Sequence, residues 1–421
     1  MNYVNRLCTA VHPRRSFRRT PVTLFCFIIL HGLSVIAVDG ALADEWLDKG
    51  HLKYFYNKAW YDAPSAGVLP TGKVPEIHQF NARYDGTGRW DAWRAEAHYA
   101  LQIRAAEQPA FSKTPPAVDQ TQVANLAQWL IHEPRTQALH RLDRLNIGYT
   151  AAHWTARFGR QAVSWGNGIN FHPMDIFNPF APNAIDKDYK NGDDLAYMQW
   201  LFEDGADAQL IAVPRRKIAT HTLSAEQSSL AIKYRRSTAL GDIDLLVSRH
   251  YAEYLTGIGW AKSVAGAIIR ADATITRLTD QKTALTGVIN ADYSWNWFGY
   301  NIYGYTEYYY QSLGTTYPSS GLDSALRARI TRGEIFVTGK HYVDVGMMIE
   351  LAALVHLTPA LVFNVADGSY SLPCNISYEP RQNWLLVAGA TLNQGNSNTE
   401  FGGNSIATPK HQAYLHVARY F

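Results

Sequence analysis

A chain of 421 residues is long enough for two or three soluble domains, or for one barrel with long loops. Its formal charge of +3 originates at the N-terminus, where Arg6, Arg14, Arg15, Arg18 and Arg19 face a single acid, Asp39; the remainder is near neutral and slightly acidic, which argues against a nucleic-acid partner. Of three cysteines, Cys8 and Cys26 precede residue 44, so Cys374 alone follows and neither an intrachain disulfide nor a thiolate metal site is expected there.

Residues 1–43 have the three parts of a secretory leader. A basic stretch (Arg14-Arg15-Ser16-Phe17-Arg18-Arg19) precedes an apolar one from Val22 to Val38, and Ala41-Leu42-Ala43 forms a small-x-small cleavage site. Cleavage is expected before Asp44, giving a leader over 1–43 and a barrel over 44–421. Beyond residue 43 no run of about 18 apolar residues occurs, so helical spans are not expected. With 25 Tyr, 12 Trp and 16 Phe, the chain is rich in the rings that suit a membrane boundary.

What the chain shows instead is alternation with a period of two. Ile243, Leu245, Val247 and Tyr251 oppose Asp242, Asp244, Ser248 and His250; Ile269, Ala271, Ala273 and Ile275 oppose Arg270, Asp272, Thr274 and Thr276. Leu285, Ile289 and Tyr293 oppose Asn290 and Asp292, and the set Met347 to Leu357 opposes Glu350 and His356, with a turn expected at Thr358-Pro359. Segments near ten residues are the length a tilted strand needs to cross a bilayer. Candidate strands lie at 52–60, 90–104, 141–151, 153–163, 195–202, 206–213, 228–237, 240–251, 265–276, 283–293, 299–311, 343–357, 360–366, 370–378, 382–392 and 411–421. Some are allowed to be loop or plug, and even numbers predominate in such barrels. The expectation is therefore an all-β transmembrane antiparallel up-and-down barrel of about 14 strands (12–16), with long loops partly folded into the lumen. The long connections are 105–140, with a short helix expected within Val118 to Leu130, and 164–194 and 312–342.

The most distinctive stretch is Arg157-Phe158-Gly159-Arg160-Gln161, then Trp165-Gly166-Asn167-Gly168, then Pro173-Met174-Asp175-Ile176-Phe177-Asn178-Pro179. It resembles the Gly-Arg-Gln, Trp-Gly-x-Gly, Pro-x-Asp-x-Phe-Asn-Pro signature of porin-like Gram-negative outer-membrane barrels related to the alginate-export barrels. The likeness continues in Asp292-Tyr293-Ser294-Trp295, Glu307-Tyr308-Tyr309-Tyr310, Arg332-Gly333-Glu334-Ile335-Phe336 and Glu400-Phe401-Gly402-Gly403. It implies a barrel that lets a polar solute across. The last strand ends on Phe421 after Ala413, Leu415 and Val417, which resembles the signal read by the barrel assembly machinery; Arg419 departs from the stripe. Outer-membrane lipid and lipopolysaccharide are the other expected partners.

Read as physics, the signature is a strand entering a stiff loop. Glycines permit backbone closed to other residues, and Pro173, Pro179 and Pro182 restrict it. The loop is expected to fold inward as a constriction, with Arg160 held by Asp175 or a neighbouring carboxylate; the alternative is that both merely brace the loop against the wall. The candidate lumen and constriction residues are Arg157, Arg160, Gln161, Asp175, Arg235, Arg270, Asp272, Glu307 and Glu350, with Lys233, Arg277, Asp242, Asp244 and Asp292 also on the polar faces. Asp186, Asp188, Asp193 and Asp194 lack the twelfth-position glutamate of a calcium loop and read as a solvated acidic stretch, so no metal is expected. No cofactor is implied, and no nucleophile elbow, His-Glu-x-x-His helix or phosphate loop is present. The reading is a porin-like channel or exporter for polar solutes, such as oligosaccharides or organic anions. A plugged barrel that docks a partner, or a lipid-modifying barrel enzyme, are the alternatives.

Overall fold

A computed structural model describes residues 45–61, 76–116, 118–182, 184–316, 321–402 and 409–421; the leader lies outside the described residues. The strands are β1 (Glu45–Trp60), β2 (Ile77–Trp90), β3 (Trp93–Ala106), β4 (Ala127–His132), β5 (Thr136–Thr150), β6 (Trp154–Gln161) and β7 (Asp193–Leu201). They continue as β8 (Asp207–Val213), β9 (Ser229–Thr238), β10 (Gly241–His250), β11 (Glu253–Val264), β12 (Ala267–Arg277) and β13 (Thr283–Trp297). The last are β14 (Tyr300–Gln311), β15 (His341–Ala352), β16 (Val355–Asn364), β17 (Tyr370–Tyr378), β18 (Trp384–Gln394) and β19 (His411–Tyr420); the described residues also form one helix, α1 (Ser324–Thr331), capped by the Asp323 carboxylate.

Successive strands pair antiparallel, except that β3 passes over β4 to pair with β5, and β1 pairs with β19, so the sheet closes on itself. Closure matters because a strand edge in hydrocarbon would leave backbone polar groups without partners. β4 is not a full stave. It covers the edge of β5 from Gln137 to Arg141, while β6 covers the same edge from Leu145 to Thr150. The wall therefore has 18 staves, not the expected 14.

All sixteen candidate strands fall on staves, and the two left uncounted are β2 and β11. Both are diluted by glycine: Gly86 and Gly88 in β2, Gly257 and Gly259 in β11. The expected turn at Thr358-Pro359 is at Ala353-Leu354 instead, and Pro359 lies inside β16 opposite Cys374. The expected helix within Val118–Leu130 does not form. Its backbone is taken up by the wall: Ala124 N donates to Asp194, Leu142 N to Leu126 O, and Ala127 onward pairs as β4.

One rim has short reversals, at residues 91–92, 151–153, 202–206, 239–240, 265–266, 298–299, 353–354 and 379–383, together with the ends of β1 and β19. The other carries the long connections, so the strand parity is consistent around the ring. Outward positions are apolar: Leu145, Ile147, Phe158, Leu210, Ile232, Val247, Ile258, Ile275 and Ile289 all point away from the lumen. Aromatics gather near the short-turn rim, where Tyr149 lies 5.0 Å from Trp93 and 5.4 Å from Trp154.

Candidate functional site

The connection from β6 to β7, residues 162–192, folds into the barrel and touches most of its circumference. Its first part is apolar. Val163, Trp165, Met174, Ile176 and Phe177 pack on Leu195, Tyr197, Ile211, Val213, Leu246 and Leu255 of β7 to β11, and Trp165 Nε1 donates to Gln209 at 2.7 Å. Burying these side chains contributes about 1.5–3 kcal/mol each.

Its middle is held by carboxylates projecting from the wall. Asn167 donates from its backbone N–H and side-chain amide to Asp272, at 2.6 and 2.7 Å. Glu307 accepts three successive backbone N–H groups, from Ile169 (2.6 Å), Asn170 (3.0 Å) and Phe171 (2.8 Å), and a fourth bond from Asn290. The Asn170 amide reaches Asp344 at 2.5 Å, and the Phe171 ring stacks on Tyr309 at 4.4 Å. The turn that aims three N–H groups at one carboxylate requires Gly168, since a Cβ there would lie 1.7 Å from the Phe171 carbonyl oxygen. Asp272 and Glu307 are thus loop anchors on the lumen wall.

The far end of the loop crosses to β19, β1, β2 and β5. Lys53 Nζ bonds Asp186 at 2.8 Å and Asp188 at 2.5 Å, and the Tyr420 hydroxyl donates to Asp188. Arg83 lies 3.8 Å over the Tyr189 ring, and Arg144 donates to the Lys190 carbonyl at 2.6 Å. Asp186 and Asp188 are therefore lysine ligands rather than a solvated acidic stretch. Among the described residues no cluster of three metal-ligating side chains occurs.

Asp175 pairs with Lys190, not with Arg160, at 2.6 Å. Burial pushes the Asp175 carboxyl up to about 6 despite the lysine, and the same burial lowers Lys190. His172, nearby, is driven down to about 4 by burial and by Lys187 and Lys190. Arg160 is held by the neighbouring carboxylates Asp194 (2.8 Å) and Asp119 (2.6 Å) and by the Ala124 carbonyl. It sits opposite Leu145, two residues from Phe158, which is 69% exposed, so the alternation of β6 puts it on the outer side of the wall. The placement in the lumen is corrected: residues 119–124 cover Arg160, and it braces two loops.

The other candidates separate cleanly. Gln161 is buried opposite Asp193, and Arg157 lies 4.5 Å over the Tyr197 ring. Arg235 and Lys233 both face Asp244, at 3.2 and 3.6 Å, and Arg270 pairs with Asp292. Glu350 accepts from Asn301 near the short-turn rim. Arg277 shares the outward face of Ile275 and bonds Gln281, which removes it from the lumen.

Sequence reasoning named no candidate site residue on β1 to β5. A cavity of about 560 Å³ lies between the loop and these strands, lined by His51, Asn81, Arg83, Gln102, Arg104 and Arg141 among others. Arg104 donates to Gln79 at 2.9 Å; Arg141 donates to Asn191 at 3.2 Å and stands 3.8 Å from its nearest carboxylate, Asp119. Their charges are thus weakly compensated, unlike those of Arg235 and Arg270. The signal was available in the Gln79-x-Asn81-x-Arg83 and Gln102-x-Arg104 alternations.

Over the long-loop rim, Ser229, His250 and Glu334 are hydrogen-bonded in series at 3.0 and 3.1 Å. Ser229 is buried and its oxygen also accepts from Arg215 at 2.8 Å, so the series fastens three loops and presents no nucleophile. Burial raises the Glu334 carboxyl, but His250 and Arg332 outweigh it and hold it at about 2.

Around the folded-in connection the fold is a closed, all-antiparallel β-barrel. Three solved structures share it: OccAB1 of Acinetobacter baumannii (TM-score 0.54, 8% identity, 90% of this chain and 97% of that one), a BenF-like porin from Pseudomonas fluorescens Pf-5 (0.52, 8%, 90% and 99%), and Pseudomonas aeruginosa OccK2 in complex with glucuronate (0.51, 6%, 90% and 98%). No family model and no curated protein matches the chain by sequence.

Proposed function

We propose that the chain is an outer-membrane porin passing small polar solutes, with anions favoured, along the β1–β5 side of the folded-in loop. The observation that carries this is the polar cavity bordered by Arg104, which bonds the neutral Gln79, and by Arg141, whose carboxylate at 3.8 Å, Asp119, is held more tightly by Arg160 at 2.6 Å. A guanidinium left without a counter-charge in a low-dielectric channel raises the local concentration of anions. Short turns are placed in the periplasm and long loops outside, as is general for such barrels. The leader over 1–43 supplies export, β19 with Phe421 is the segment offered to the assembly machinery, and lipopolysaccharide surrounds the long-loop half. Kinship with alginate-export barrels rests on the Gly159 to Pro179 signature alone.

The test is single-channel recording of the mature chain in planar bilayers under a salt gradient. Anion-selective steps are expected, and Arg104→Gln with Arg141→Gln should move the reversal potential toward cation selectivity. Silence from a folded barrel would favour the plugged, partner-docking reading. The OccK2 neighbour was solved with glucuronate, which makes that sugar acid the first solute to try as a blocker.

A further inference from the structure

The short-turn rim is built from two different materials. Five of its reversals place a residue in the left-handed backbone region: Asp91 (φ 51), Ala265 (φ 51), Phe298 (φ 49), Leu354 (φ 70) and Asn383 (φ 65). Asp and Asn are comfortable there because a short polar side chain bonds locally, whereas a bulky side chain is strained. The same backbone requirement is thus met with polar residues between β2 and β3 and between β17 and β18. Between β11 and β16 it is met with apolar ones. Phe298 and Leu354 are 83% and 52% exposed, and Leu240, at the tip between β9 and β10, is 72% exposed. A turn that only reversed the chain in water would gain nothing from these side chains.

The lipid-facing wall runs unbroken into these tips. On β13 the outward column from Leu285 through Ile289 and Tyr293 to Trp297 covers twelve residue steps, about 40 Å along the strand. At a tilt of about 40° that is about 30 Å along the membrane normal, more than the ~25 Å apolar band typical of such barrels. The excess has to lie in the headgroup layer, where tryptophan and tyrosine rings are stable.

We propose that from β9 to β16 the periplasmic turns are immersed in the phospholipid headgroup layer of the inner leaflet, while the arc carrying Asp91 and Asn383 stands in water. This rests on the outer-membrane reading above.

The experiment uses the mature chain with Cys374→Ser and single labelled cysteines at Phe298→Cys, Leu354→Cys, Asp91→Cys and Asn383→Cys. An environment-sensitive dye is read in phosphatidylethanolamine–phosphatidylglycerol vesicles containing headgroup-nitroxide lipid. Quenching several-fold stronger at 298 and 354 than at 91 and 383 is expected. Equal quenching at all four sites overturns the proposal. Labels at 298 and 354 as unquenched as the other two also overturn it, and leave a periplasmic protein or a second copy as the occupant. A label at Ile258→Cys, on the outward wall, read with acyl-chain nitroxide separates the two failures. If it is quenched while 298 is not, only the immersion fails; if it is unquenched, the membrane reading itself fails.

Discussion

Removing the Glu307 carboxylate should undock the middle of the folded-in loop. Glu307→Ala deletes an acceptor for the N–H groups of Ile169, Asn170 and Phe171 at once, each within 3.0 Å. A hydrogen bond to a charged group contributes about 1.5–3 kcal/mol, so three are worth at most about 9. Water entering the lumen re-solvates the freed donors, which reduces the net loss to about 4 kcal/mol, a shift near a thousandfold in the docking equilibrium. Asp272 still holds Asn167, and Phe171 still stacks on Tyr309, so the loop is expected to fluctuate rather than leave. Glu307→Gln keeps one carbonyl acceptor and should lose about half as much. Hydrogen exchange at residues 169–171 reads the docking directly, and open-channel noise with a raised mean conductance reads its consequence. Exchange in Glu307→Ala as slow as in the parent protein would refute the anchoring role.

Gly168→Ala should reproduce the Glu307→Ala phenotype without touching a charge, because the new methyl would collide with the Phe171 carbonyl; noise and exchange are the readouts. Arg160→Met should lower stability by about 3–5 kcal/mol by stranding Asp119 and Asp194, measured by the urea midpoint of the heat-modifiable band, with ion selectivity unchanged. Glu334, held at about 2 in the folded protein against an ordinary 4.5, contributes stability above pH 4.5 that is lost as pH falls through about 2. Glu334→Gln should therefore cost about 3 kcal/mol at pH 7, and the gap to the parent protein should close between pH 4.5 and 2 in acid-unfolding titrations. Arg104→Gln alone should shift the reversal potential more than Arg235→Gln, since Arg235 already faces Asp244 at 3.2 Å.

The wall was legible because lipid on one side and water on the other impose a strict period of two, as in Ile269 to Ile275 and Leu285 to Tyr293. It faded where glycine replaced the outward side chain in β2 or thinned the inward face of β11. The stiff loop and its inward fold were legible in its glycines and prolines. The partners were not. Arg160 and Asp175 are 15 residues apart in one signature, yet their mates are Asp119, Asp194 and Lys190, and sequence proximity carries no information about which charges a closed wall brings together. Arg104 and Arg141 were passed over for a related reason: a charge's lack of a counter-charge is a property of the surroundings, and the chain does not spell it out.

The seam between β1 and β19 is sealed by the final residue, with Gly50 N donating to the Phe421 carbonyl at 2.9 Å and Phe421 N to the Gly50 carbonyl at 3.1 Å. The loop crosses that seam from within, since Lys53 belongs to β1 and Tyr420 to β19, and both are bound to Asp188. Two of its attachment points therefore come into being only when the first and last strands meet. A partly assembled barrel has no finished constriction, and a finished one marks a completed wall. Closing the wall and tethering that end of the loop are therefore one event.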